Sequence, residues 1–214
     1  MKASLERGKF MINIRASLMA ITSVTLVAGC TPAEQDPQDA FIANLAEHCG
    51  NAYEGRVIKG DEEADATWMN SRIVIEVREC TEDRIRIPLH VGDNHSRTWV
   101  FTDTINGLQL KHDHRLEDGS HDPVTWYGGT SYTAGTATEQ AFPADDFSKQ
   151  MFSEQGLSVS IDNTWIVSFP TENTMVYRLL RENRDFQVEV DLSNPVEAPP
   201  APWGWEDNYQ YDFD

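Results

Sequence analysis

From residue 84 the chain reads RIRIPLHV, and every second position is apolar: Ile85, Ile87, Leu89 and Val91 alternate with Arg84, Arg86 and His90. The preceding SRIVIEVRE has the same period, with Ile73, Ile75 and Val77 set against Arg72, Glu76 and Arg78. Successive side chains of an extended chain point to opposite faces, so a period of two predicts strands with one buried face. CTED predicts the turn between these two. Further strands are predicted at RTWVFTD, GLQLKHDHR, VTWYGG, YTAGTATEQA, LSVSI, TWIVSF, MVYRLL and FQVEVDL. Turn chemistry separates them at Ile105-Asn106-Gly107, Glu117-Asp118-Gly119, Asp162-Asn163 and Thr171-Glu172-Asn173.

Two stretches follow a helical period instead. In DAFIANLAEHCG, Phe41, Leu45 and Cys49 fall four apart with Ile42 beside them, which predicts an amphipathic helix closed by Gly50. ADDFSKQMF predicts a second, short helix with Asp145 or Asp146 at its N-terminus and Phe147, Met151 and Phe152 turned inward. Ten or so closely spaced strands leave no room for parallel crossovers. The expected fold is mainly β: an N-terminal helix, then an antiparallel meander forming a calycin-like or lipocalin-like barrel, because closure removes exposed strand edges. A two-layer β-sandwich is the alternative.

The ends of the chain differ from this middle. Residues 1–15 carry Lys2, Arg7, Lys9 and Arg15 against Glu6, and ASLMAITSVTLVAG follows, about 14 small or apolar residues. As a helix that run would be roughly 21 Å long, too short for a bilayer core of about 30 Å. It reads as a removable secretion signal over residues 1–29, starting at Met1 or Met11. Val27-Ala28-Gly29-Cys30 resembles the lipobox of bacterial lipoproteins, an aliphatic residue, two small residues and a cysteine. The resemblance implies cleavage before Cys30, lipidation of that thiol, and a membrane partner through the acyl chains, since two or more chains hold a protein durably where one does not. Thr31 in place of aspartate implies an outer-membrane destination facing the periplasm. Residues 30–39 then form a polar tether, residues 40–193 a single β-rich domain, and residues 194–214 a tail that is proline-rich at first and then aromatic and acidic. Trp203 and Trp205 in that tail either dock on the barrel or offer it to another protein.

With Cys30 lipidated, Cys49 and Cys80 are left as a pair in an oxidising compartment. A disulfide between them closes a loop of about 30 residues, worth roughly 3 to 4 kcal/mol on chain entropy. The formal net charge is −18, and the portion after the basic leader is more acidic still. This charge disfavours nucleic acid and anionic lipid surfaces as partners, since both would repel it.

The densest ionisable stretch is LKHDHRLEDGSHD. On a strand, Leu108, Leu110, His112 and His114 share the inward face, and Gln109, Lys111, Asp113 and Arg115 the outward one. His112 and His114, with His90 or His95, are candidate ligands for a divalent metal or for a bound molecule. Lys111, Asp113 and Arg115 read as solvated surface charges with weak pairing. No catalytic residue stands out: there is no Gly-x-Ser-x-Gly elbow, no His-Glu-x-x-His helix and no thiol left after crosslinking, while Asp113 with Asp122 is a chance acid pair in so acidic a chain. YGGTSYTAGTAT lacks a following helix and reads as a twisted strand pair rather than a phosphate loop.

LKHDHRLEDGSHD and APPAPWGW are similar to stretches in uncharacterised secreted proteins and lipoproteins of proteobacteria, a resemblance that implies compartment and no activity. The expectation is a non-enzymatic envelope lipoprotein whose barrel binds a small, partly apolar ligand or an envelope partner protein, with Trp99, Phe101, Trp126, Trp165 and Tyr177 turned inward. The alternative is a metal- or haem-binding protein, or a metal-dependent hydrolase, built on the His112/His114 strand.

Overall fold

Asp36 starts the first helix: its carboxylate accepts from the Gln38 amide at 2.8 Å, and Pro37 sits in the first turn, where a missing N–H is no loss. This helix, α1 (Pro37–Ala46), begins within the stretch read as tether. It buries Phe41 and Leu45, as the four-residue spacing predicts, and Gly50 follows at φ 78°. The structure is a computed structural model that describes residues 35–205; the leader, the Val27-Ala28-Gly29-Cys30 junction and residues 206–214 lie outside it.

Eleven strands follow: β1 (Ala52–Lys59), β2 (Ile73–Glu76), β3 (Glu79–Cys80), β4 (Arg84–Val91), β5 (Asn94–Thr104), β6 (Gly107–His114), β7 (Tyr127–Thr130), β8 (Glu139–Pro143), β9 (Thr164–Thr171), β10 (Thr174–Arg181) and β11 (Arg184–Val196). They form one antiparallel sheet in the order β7-β6-β5-β4-β2-β1-β11-β10-β9-β8, with β3 beside β4. Apart from β2 against β4, which the two-residue β3 separates in the chain, every neighbour but β11 against β1 is next in the chain, so this is a meander whose last long strand returns to its first. The sheet curls into a nearly closed, calycin-like barrel, and the sandwich alternative falls away.

Pro88 lies in the middle of β4 without breaking the sheet. β2 pairs with β4 as far as Leu89, and β3 resumes at Arg86, whose carbonyl accepts from the Arg78 amide. Alternation turns the Pro88 nitrogen the same way, into the gap between β2 and β3, where no ladder donor is needed.

The seam lies between β7 and β8, and glycine makes it possible. A Cβ on Gly129 would stand 1.7 Å from the Pro143 carbonyl oxygen, and one on Gly128 would stand 1.9 Å from that of Leu110. The Asp145 amide donates to the Gly128 carbonyl at 2.9 Å, and Ser148 Oγ accepts from the Gly128 amide at 2.8 Å. Both partners belong to the start of α3 (Asp146–Glu154), whose N-cap Asp145 accepts from the Ser148 amide at 2.9 Å. Further along the seam Ser131 Oγ donates to Gln140 Oε1 at 2.9 Å. The start of a helix thus supplies hydrogen bonds that a paired strand would otherwise make.

One end of the barrel is filled. Phe41 of α1 packs on Phe101 and Phe169, at ring separations of 6.4 and 5.5 Å, and Phe101 meets Phe142 at 5.8 Å. Gln38 fixes the helix there: its Oε1 accepts from the Leu108 amide at 2.8 Å and its Nε2 donates to the Thr133 carbonyl at 3.0 Å. Cys49 and Cys80 are disulfide-bonded with Cα atoms 6.4 Å apart and a sequence separation of 31, tying the turn after α1 to β3.

Several local expectations are corrected. LSVSI is not a strand: Gly156 ends α3 at φ 73° and Ser158–Ser160 wind into a 3₁₀ turn that leaves Val159 exposed. YTAGTATEQA is extended only from Glu139, the residues before it forming the loop that lets the chain cross the seam. Phe147 is 55% exposed, because the helix turns Ser148, Met151 and Phe152 inward instead. A short helix, α2 (Ala66–Met69), has too few residues to show a period in the sequence.

Asp113 is the largest correction. It is fully buried on the outer face of β6, where it accepts from Arg115 Nε at 3.0 Å, Thr125 Oγ1 at 3.3 Å and Trp205 Nε1 at 2.8 Å. Trp205, from the tail, lies between the Arg86 and Arg115 guanidiniums at 4.3 and 4.7 Å. The tail as far as Trp205 therefore docks on the outside of the sheet, and Lys111 is ion-paired to Asp145 rather than solvated.

Gly129→Ala is expected to destabilise the fold by roughly 3 kcal/mol or more in urea unfolding, since backbone must move to admit the methyl group. Gly156→Ala, with φ 73° but open space around it, is the control and costs about 1 kcal/mol.

Candidate functional site

The inward faces of β4, β5 and β6 are graded from one end of the barrel to the other. Register places Ile85, Phe101 and Leu110 in one row, Ile87, Trp99 and His112 in the next, and Leu89, Arg97 and His114 in the third. The apolar row meets the phenylalanine-filled end under α1. The polar row faces a cavity of about 300 Å³ at the opposite end, near the lower limit of the ~300 to 1,000 Å³ usual for small-molecule sites.

Aromatic rings make its walls. Trp99 stacks on Tyr177 of β10 at 4.4 Å, and Tyr127 of β7 stacks on His112 at 4.6 Å. Trp165 of β9 lies 5.0 Å from His112 and 5.5 Å from Tyr127, while Phe152 of α3 is 5.4 Å from Tyr127. These contacts reach across the seam between β7 and β8, so the cavity exists only in the closed sheet. Trp68 of α2 packs edge-on against Phe186 at the mouth, and Leu157 and Ser160 line the same opening from the 3₁₀ turn. There Asp65 takes both Arg184 nitrogens, at 2.5 and 2.6 Å.

The histidines are held neutral. His112 Nδ1 lies 3.1 Å from the Tyr127 carbonyl oxygen, an acceptor only, so Nδ1 carries the proton. Its Nε2 then accepts from the Tyr177 hydroxyl at 2.9 Å. His114 Nε2 is 3.1 Å from the Tyr127 hydroxyl. Burial pushes the His112 pKa down to about 3; burial, reinforced by Arg97, pushes that of His114 down to about 4. The same burial raises Tyr127 to about 12 and Tyr177 well above its ordinary value.

The four candidate histidines do not converge. His112 and His114 face the cavity, whereas His90 lies on the outer face of β4, ring to ring with His95 at 4.5 Å. Among the described residues no group of three or more His, Cys, Asp or Glu is placed to hold a metal ion. His90 is 3% exposed and neither ring nitrogen has a hydrogen-bond partner among the described residues; burial, with His95 and Arg78 adding to it, lowers its pKa to about 4.

Of the five aromatics expected inside, Trp99, Trp165 and Tyr177 line the cavity and Phe101 lies in the core beneath it. Trp126 does not: its φ of 57° turns the chain just before β7, so the next residue, Tyr127, enters instead. Arg97 was legible in RTWVFTD, where alternation puts it on the face of Trp99 and Phe101. Asp65, Trp68 and Arg184 reach the mouth from the N-cap and the body of the four-residue α2 and from a strand end, none of which carries a periodic signal.

The neutral histidines make stability depend on acid. Below pH ~6.5 the unfolded imidazoles take up protons that folded His112 and His114 refuse, so stability is full above that value and falls as the pH drops toward the folded values. As the pH falls from ~7 to ~5 the decline of the unfolding free energy should steepen to two or more protons, and His112→Gln should remove about one of them near pH ~5, as read by urea unfolding across pH. No protein family, curated protein or solved structure matches the chain.

Proposed function

We propose that the protein is a cell-envelope lipoprotein, anchored through Cys30, whose barrel is a non-enzymatic receptacle for a small, partly apolar ligand. The cavity carries this reading: about 300 Å³, opening at one end, plugged by α1 at the other and walled by Trp99, Tyr127, Trp165 and Tyr177. A ligand there buries apolar surface against rigid rings, at about 25 cal/mol per Å² before the costs of association. The polar atoms within reach suit recognition better than reaction. Tyr127 and Tyr177 resist ionisation, and both His112 nitrogens are engaged. The disulfide supports an oxidising compartment. The lipobox, together with a short leader that cannot span a bilayer, supports attachment to a membrane by acyl chains, in the outer membrane facing the periplasm.

Prodan, a neutral naphthalene probe whose fluorescence responds to solvent polarity, should bind one per chain with micromolar affinity and shift its emission to the blue. Val124→Trp, which narrows the opening, should weaken that binding at least ten-fold while far-ultraviolet circular dichroism is unchanged; no saturable binding to the wild type would end the receptacle reading. Radiolabelled palmitate should enter the protein in growing bacteria and be lost on Cys30→Ser, and a labelled C30S variant would overturn the anchor.

A further inference from the structure

Arg97 brings a cation to the wall of an aromatic cavity in a strongly acidic chain. Its register partner across β5 and β6 is His114, and its guanidinium stands 5.2 Å over the Trp68 ring at the mouth. Arg56, Arg72, Arg86, Arg115, Arg178 and Arg184 each have a carboxylate in contact. Arg97 has none among the described residues; its hydrogen bond goes to the Asn94 side-chain oxygen at 2.9 Å, and Asp122 acts on it only at longer range. His112 and His114 beside it are neutral and add no positive charge of their own, so the charge offered to an anion on this row is that of Arg97. Burial pushes the Arg97 pKa down from its ordinary value, the direction expected of a cation whose hydration has been stripped without replacement.

We propose that Arg97 is the anchor for an anionic head group, so that the ligand is a small aromatic or otherwise apolar monoanion, its carboxylate or sulfonate at the mouth and its apolar body between Trp99, Tyr127 and Tyr177. This rests on the receptacle reading and narrows it. A planar guanidinium forms paired, charge-assisted hydrogen bonds to such a group, and these are stronger away from bulk water. Asn94 is displaced or shared at little cost, being a neutral partner at the exposed start of β5. The cavity sets the size at one or two fused rings or a short chain.

The test is calorimetric titration at neutral pH of naphthalene-2-carboxylate, its neutral amide and 2-naphthylmethylammonium, against the wild type, Arg97→Met and Arg97→Lys. The carboxylate should bind the wild type at least about ten-fold more tightly than the amide, and the ammonium should bind weakest. R97M should bring carboxylate and amide to equal affinity with the amide unchanged; R97K should keep a reduced preference for the carboxylate, which a merely structural Arg97 would not show. Equal binding of carboxylate and amide by the wild type, or a carboxylate preference that survives in R97M, overturns the anion assignment while the receptacle stands. Failure of all three probes to bind the wild type overturns both.

Discussion

The structure depends on closure of one seam. Ten of the eleven strands pair in a continuous path whose two free edges, β7 and β8, meet without a ladder of their own. What joins them is the close backbone approach that Gly129 permits and the start of α3, where Asp145 and Ser148 bond to both polar groups of Gly128. Everything in the cavity follows from that join. Tyr127 stands on one side of it and Trp165 on the other, and His112 is held by the Tyr127 carbonyl on its own side and by the Tyr177 hydroxyl from beyond it.

Closure also explains the electrostatic character of the interior. Two imidazoles and two phenols are removed from water in one layer, and each must find its partner among the others. The lowered histidine pKa values and the raised tyrosine values are two consequences of the same burial. Such a layer is stable while neutral. It leaves Arg97, at the edge of the layer, as the one charged side chain on its row. On the outer face the solution is different: the buried carboxyl of Asp113 is satisfied by donors from Arg115 and Trp205.

What could be seen in the sequence was whatever is local and periodic. RIRIPLHV and GLQLKHDHR alternate strictly, and the structure buries the faces they mark, including His112. Phe41 and Leu45 mark the plugging helix in the same way. Phe147 misled because an apolar residue in a short helix near two aspartates has no period to correct it, and LSVSI because three alternating apolar residues are too few to outweigh the glycine before them. Asp113 could not be seen as buried from its strand, since Trp205 reaches it from 92 residues away. The seam itself was half visible: YGGT was marked as unusual, but that its glycines let two strands touch depends on Pro143, which the chain reaches only after a loop.

The most direct test of this account is native-state hydrogen exchange at the amides of Gly128 and Asp145. If the sheet closes as described, both exchange only with global unfolding, at the same free energy as the central amides of β5 and β10. Exchange of these two amides at the rate of a frayed, solvated edge would show the barrel open in solution, and with it the cavity wall that the functional reading requires.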